Sequence, residues 1–482
     1  MDEVYVATGR YVGRVSSPDA PAATRRASRE RSTTPARTAL AWVDDEDVAG
    51  RSPRRELAAS AGPYALAHAD LLVERPRRSP VRASTALPVA AVATLVAGGY
   101  AAATLLWPLH AVAPDVLPAM VAAPAAVAAA PAWPAEGAGA TAVDGLGATV
   151  STGDDAASIA SITKLVTALV VLDQMPLGAG EQGPAFAFTA ADRREYRSYL
   201  ADDQSALDVP VGGTLTQYQL LQGVLIGSAN NYADRLVSEL WPNEDVYADA
   251  AGAWLREHGL AGVTVVDSSG IDPGNLADPA SVVALGRVAM GHPVIAEIVA
   301  QRSVELPGAG LVENTNRLLA DPAVVGVKTG SLFGSFNLVA AQDAVFDGTP
   351  VRAYAVVLGQ PDDDTRHAAT AALLERTLAE VAASPTLAAG TLAGTATTSW
   401  GATADIVTEA DVRVALWNGD GAQAAAAFDL GDDRTAGDSV GELTLSGPLG
   451  TATTPLTLAG DLPDPDGWWR LSHPLELWGL ID

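Results

Sequence analysis

The chain has 482 residues, 48% of them hydrophobic, enough for two or three domains with sizeable cores. A formal charge of −27 argues against a nucleic-acid partner, which would need a basic face, and zero cysteines exclude disulfides, thiol catalysis and zinc–thiolate sites. The six histidines show no H-E-x-x-H pairing, so neither a metal nor another cofactor is expected.

Residues 1–83 carry 14 Arg against 11 Asp plus Glu, are rich in Ser, Thr, Pro and Ala, and lack a sustained apolar period. They read as a disordered tail. The uncharged run "ALPVAAVATLVAGGYAAATLLWPL", Ala86 to Leu109, is long enough to cross a bilayer, which gives an anchor over 84–109. Arg75, Arg77, Arg78 and Arg82 precede it, placing the tail in the cytoplasm and everything downstream on the outer side. So long a lead does not suit a signal peptide, and an uncleaved anchor is expected, although "AVA" at 111–113 leaves cleavage open. The Ala/Pro-rich residues 110–139 read as a semi-rigid spacer.

From 140 to 385 the pattern is that of a mixed globular domain. Apolar periodicity predicts helices over Ser158–Gln174, Thr216–Leu240, Asp245–His258, Pro279–Met290 and Thr365–Ala383. Strand-like runs lie at "GVTVVD", "PAVVGVKTG", "FNLVAAQDAV" and "RAYAVVLG". This order suits an α/β (α+β) domain, an antiparallel sheet covered by helices. Residues 386–482 read as a small β domain, with a hairpin at Asn418-Gly419 and "DLPDPDGWW" as a turn into a terminal strand where Trp468 and Trp469 pack.

Lysine is nearly absent: apart from Lys164 and Lys328, every basic side chain other than histidine is arginine. What lysine offers over arginine is the capacity to lose its proton. Lys164 follows Ser161 by three residues, one helical turn, in "ASITKLVTAL". The apolar run after it predicts burial, which lowers an ammonium pKa and makes the amine a base for the Ser161 hydroxyl. Lys328 sits in "GVKTGSLFG", where Lys328, Thr329 and Gly330 provide charge, a hydroxyl and room for a substrate carboxylate. The backbone N–H groups of Ser161 and Ser331 would form an oxyanion hole. Between the lysines, Ser228 and Asn230 interrupt the apolar run of "LIGSANNYADRL".

The ordered set S-I-T-K, S-A-N, K-T-G resembles penicillin-binding proteins and class A β-lactamases. Longer stretches, such as "TVVDSSGIDPGNLADPASVVALG", are similar to actinobacterial serine-type D-alanyl-D-alanine carboxypeptidases, the S11 peptidases. The resemblance implies a transpeptidase-like fold, with a helical lobe carrying the first two motifs and K-T-G on an edge strand. It implies Ser161 as acylated nucleophile, Lys164 as base, Ser228 as proton relay and Asn230 as a contact to the peptide stem. Lys328, Thr329 and Gly330 would receive the terminal carboxylate. The implied partners are peptidoglycan stem peptides, and β-lactams as covalent inhibitors. Asp267, Ser269 and Gly270 in "DSSGIDPGN" are given a scaffold role. A β-lactamase is the alternative, but its deacylating glutamate has only Glu239 as a candidate, too close to Asn230 in sequence. A catalytically inactive wall-binding scaffold is the other alternative, and the two retained lysines speak against it.

Overall fold

A computed structural model of the chain describes residues 83–481 apart from 111 and 179. The expected cytoplasmic tail and its arginines Arg75 to Arg82 lie outside the described residues. The first element, α1, covers Ala83–Leu105. Over Ala86–Leu105 it is long and apolar enough to span a membrane, and most of that stretch is exposed.

The spacer does not stay free. Asp115–Pro118 forms strand β1, and Ala125 bridges Gly421 further on. Residues 115–118 pair antiparallel with Thr397–Gly394 at a sheet edge, so this segment is a strap rather than a linker. Strands β2 (Ala138–Val143) and β3 (Leu146–Ser151) follow.

The helical lobe contains α2 (Thr163–Gln174), α3 (Ala190–Ala201), α4 (Gln217–Leu225), α5 (Asn230–Leu240) and α6 (Glu244–Glu257). It is completed by α7 (Pro279–Gly291) and α8 (Pro293–Val299). The helix expected over 216–240 is two helices, because Ser228 takes a left-handed φ of 57° that an α-helix cannot contain. "GVTVVD" yields only a two-residue strand, Val263–Thr264. Its remaining residues enter a loop organised by the Asp267 carboxylate, which accepts hydrogen bonds from the N–H groups of Ser269, Gly270 and Asp272.

Strands β4 (Val324–Leu332), β5 (Ser335–Phe346) and β6 (Thr349–Gln360) join β2 and β3 in an antiparallel sheet of order β4-β5-β6-β2-β3. Both faces are covered. Val339, Ala341, Tyr354 and Val356 pack into the core of the helical lobe. Their neighbours Leu338, Ala340, Ala355 and Val357 face Leu373, Leu374 and Val381 of α9 (Asp363–Ala382). Coverage on both sides is why these strands read as continuous apolar runs. The strand bearing Lys328 is left at the sheet edge, open along one side to the helical lobe.

Beyond α9, strands β7 (Leu392–Thr397), β8 (Thr403–Thr408), β9 (Gln423–Phe428), β10 (Ser439–Gly447) and β11 (Gly450–Leu458) form a second antiparallel sheet. Its order is β1-β7-β8-β11-β10-β9, so the strap provides one edge. Asn418 and Gly419 make the expected turn with positive φ at both residues, but its arms do not pair as a hairpin. Val412 bridges Leu387, Gly421 bridges Ala125, and the Asn418 amide bonds the Ala148 carbonyl. The terminal strand is also absent: Gly467–Ser472 and Pro474–Leu477 are short helices, α10 and α11. Asp466 caps the first through the N–H of Trp469, which breaks the alternation a strand would need. Trp469 packs against Trp400 and His473, whereas Trp468 is 77% exposed.

Candidate active site

Ser161 does not sit inside a regular helix. Residues Ala160–Ile162 form a 3-10 turn that feeds α2, and Ala160 is left-handed with φ 48°. Two non-glycine residues with positive φ, Ala160 and Ser228, flank the same cleft, each at a cost of about 1–3 kcal/mol. Gly270 permits the turn. A methyl group there would lie 2.0 Å from the Ala160 carbonyl oxygen, and its own φ is +82°. Gly330 likewise lets β4 touch this turn, since a Cβ would stand 2.6 Å from the Ile159 oxygen and 3.3 Å from the Ile162 nitrogen.

Lys164, one turn beyond Ser161, is fully buried, while Ser161 is half-buried. Its Nζ lies 2.9 Å from Ser161 Oγ, 2.6 Å from Asn230 Oδ1 and 2.5 Å from the Ser269 carbonyl. The two carbonyl-type oxygens can only accept, so they take both hydrogens of a neutral amine. The lone pair is then left to Ser161 Oγ. As an ammonium, the same nitrogen would donate to all three oxygens without moving. Burial pushes the Lys164 pKa down to about 7, opposed by the carboxylates of Asp234 and Asp267.

Asn230 is held in register by two contacts. Its Nδ2 donates to Gln204 Oε1 at 2.9 Å, and its N–H donates to the Ser205 carbonyl at 2.8 Å. Two residues before it, Ser228 Oγ accepts from Lys328 Nζ at 3.1 Å. Lys328 is buried on β4 and also donates to the Thr329 carbonyl at 3.0 Å. Burial, then the nearby Lys164 and Arg366 cations, hold its pKa well below that of an ordinary lysine. Thr329 Oγ1 is 2.6 Å from Thr315 Oγ1. The residues expected from the three motifs therefore surround one cleft, with Gly330 at the backbone contact described above.

Several neighbours escaped the sequence reading. The Ser269 carbonyl touches Lys164 directly, which goes beyond the scaffold role expected for its loop. Arg366 is buried under β4, where its Nη1 donates to the Gly330 carbonyl at 2.9 Å and to Ser331 Oγ at 3.0 Å. An arginine in helical register with Thr370, Leu373 and Leu374 on the inward stripe of α9 was the available signal. Glu239 lies away from this cluster, half-exposed and paired with Arg235 at 3.1 Å. The deacylating role of a β-lactamase glutamate has no occupant there.

The family model described as D-alanyl-D-alanine carboxypeptidase matches residues 149–362, a span that holds all three motifs. The search for similar curated proteins found none that matches. Among solved structures, a mutant of the Streptomyces K15 DD-transpeptidase is 21% identical, covering 50% of this chain and 97% of that one, with a TM-score of 0.44. Penicillin-binding protein 5 from Haemophilus influenzae is 18% identical over 73% of this chain and 100% of that one, with a TM-score of 0.46. A penicillin-binding protein homologue from Mycobacterium tuberculosis is 25% identical over 54% and 96%, with a TM-score of 0.44. Over residues 149–362 the chain is thus similar to the D-alanyl-D-alanine carboxypeptidases, the serine peptidases of family S11.

Proposed function

We propose that the enzyme removes the terminal D-alanine from peptidoglycan stem peptides, with Ser161 as the acylated nucleophile and Lys164 as its base. The observation that carries this reading is the set of three contacts at Lys164 Nζ, which leaves a neutral amine one lone pair, aimed at Ser161 Oγ. Ser161 Oγ attacks the carbonyl carbon of the penultimate D-alanine as its proton passes to Lys164. The backbone N–H groups of Ser161 and Ser331 receive the oxyanion. Collapse breaks the C–N bond, and the departing amine takes a proton through Ser228, which Lys328 holds in place. Water then cleaves the ester and restores Ser161. The substrate carboxylate docks at Lys328 and Thr329, where an arriving anion favours the ammonium that burial alone disfavours. Asn230 orients the peptide stem.

The same reading places α1 across the cytoplasmic membrane with the catalytic domain on the wall side. Its support is the apolar span Ala86–Leu105 and the aromatic belt at its end. Trp478 meets Tyr100 and Trp107 edge-on, and Arg470 donates to the Trp107 carbonyl at 2.7 Å. The test is release of D-alanine from a defined pentapeptide, together with covalent labelling by a fluorescent penicillin. Ser161→Ala should lose both, and wild-type release by that variant would end the proposal.

A further inference from the structure

Behind Lys164 lies a second polar cluster, half-buried around the fully buried Ser268, that the reaction as described does not use. It joins Asp234 of α5, Glu244 of α6, Ser268 of the loop after Thr264, and Tyr199 of α3. Ser268 Oγ is 2.8 Å from Asp234 Oδ1 and also 2.8 Å from Glu244 Oε1. The remaining carboxylate oxygens already have donors: Tyr199 Oη for Asp234 Oδ2, and the Ser268 N–H, at 2.8 Å, for Glu244 Oε2. Two oxygen–oxygen contacts centred on one hydroxyl need two hydrogens, and Ser268 has one. An ionised carboxylate has none to give.

We infer that Asp234 and Glu244 hold one proton between them, carried by Glu244, and that Asp234 is a positioning residue whose single negative charge sets the basicity of Lys164. The placement of the proton follows from the neighbours. Asp267 opposes ionisation of both, but Asp234 also faces Lys164, whose ammonium form favours its carboxylate, whereas Glu244 has no cation acting on it and faces the anionic Asp234. Burial raises both carboxyls above their ordinary range. Asp267 goes the other way: burial would raise it, but the N–H groups of Asp272, Gly270 and Ser269 and the Asn275 amide keep it low and ionised. The other titratable groups facing the cluster are Glu195 and Tyr199 from α3 and Tyr247 from α6, and burial raises all three.

The hydrogens then run in one direction. Glu244 donates to Ser268 Oγ, Ser268 donates to Asp234, and Tyr199 donates to its other oxygen. The Ser268 carbonyl meanwhile accepts from Thr167 Oγ1 at 2.6 Å, and Thr167 in turn meets the Tyr247 hydroxyl at 2.8 Å. Every polar atom of Ser268 is engaged, which fixes the next residue, Ser269, whose carbonyl holds Lys164. The cluster thus adds one charge rather than two to that of Asp267 behind the amine. It is enough to favour the ammonium formed when Ser161 gives up its proton, and not enough to keep the amine protonated beforehand.

This inference deepens the proposed role of Lys164, and the test separates the two. Two variants are compared, Asp234→Asn and Glu244→Gln, the glutamine amide being able to donate to Ser268 Oγ as the protonated acid does. The pH profile of penicillin acylation should keep its acid limb in Glu244→Gln and move it down by about one pH unit in Asp234→Asn. Infrared difference spectra at neutral pH should show a protonated-carboxyl band in the wild type that Glu244→Gln lacks, a readout independent of any catalytic role for Lys164. An unmoved limb in folded Asp234→Asn would overturn the role of its charge. A carboxyl band that survives in Glu244→Gln and disappears in Asp234→Asn would overturn the proton's placement.

Discussion

At Lys164 the decisive property is a count of hydrogens. A guanidinium at this position would stay charged and offer no lone pair to Ser161. Lys164→Arg should therefore lower the acylation rate by about 10²–10⁴-fold, the usual worth of a positioned base, as read by penicillin labelling over time. The sign of the pH dependence follows from the same residue. With a pKa of about 7, the amine is mostly protonated below that pH and mostly free above it. Acylation by the wild type should rise about tenfold per pH unit on the acid side and flatten above pH 7. The two lysines, Ser161, Ser228 and Asn230 were legible in the sequence because lysine is so scarce and the spacings so specific. The Ser269 carbonyl was not, since a backbone oxygen leaves no trace in residue identity. Nor were Gln204 and Arg366, whose roles depend on contacts across many residues of sequence.

Among the elements, the loop from Asp267 to Asn275 does more than connect. It brings Gly270 against the Ala160 turn and Ser269 against Lys164. Gly270→Ala would force a methyl group to within 2.0 Å of a backbone oxygen, at a φ of +82° that disfavours alanine. The expected outcome is loss of penicillin labelling and a lower melting temperature, with the circular-dichroism helix signal retained. The long helices and the central strands followed from apolar period and run length. The break at Ser228 did not, because local propensity does not favour a left-handed serine, and its partner Lys328 lies 100 residues away in sequence. The C-terminal helices were missed for a related reason. "GWWRLS" has strand-like composition, and its helix is decided by the Asp466 cap and by packing onto α1.

Over the whole molecule, the catalytic and C-terminal regions share structure. Trp417 lies in the sequence of the β region, yet its buried ring belongs to the core beneath α9, and its Nε1 donates to Glu380 at 3.0 Å. Ser384 Oγ accepts from the Leu416 N–H and donates to the Leu416 carbonyl, both at 3.0 Å, and Arg413 pairs with Asp347. Removal of the ring in Trp417→Ala should cost roughly 3–5 kcal/mol. Calorimetry should show one shared transition moved to lower temperature, not a β region melting alone.

The strap gives the proposed anchor a mechanical meaning. Leu105 ends the apolar helix, and by Asp115 the chain is already hydrogen-bonded along Thr397 to Gly394 at the margin of the second sheet. Tyr100 reaches back to the Leu471 carbonyl from the other side. An enzyme rooted this way does not roam on a leash. With α1 in the membrane as proposed, it would trim stems within a thin layer of wall at a set distance from the lipid, and glycan outside that layer would have to be brought to it by growth of the wall itself.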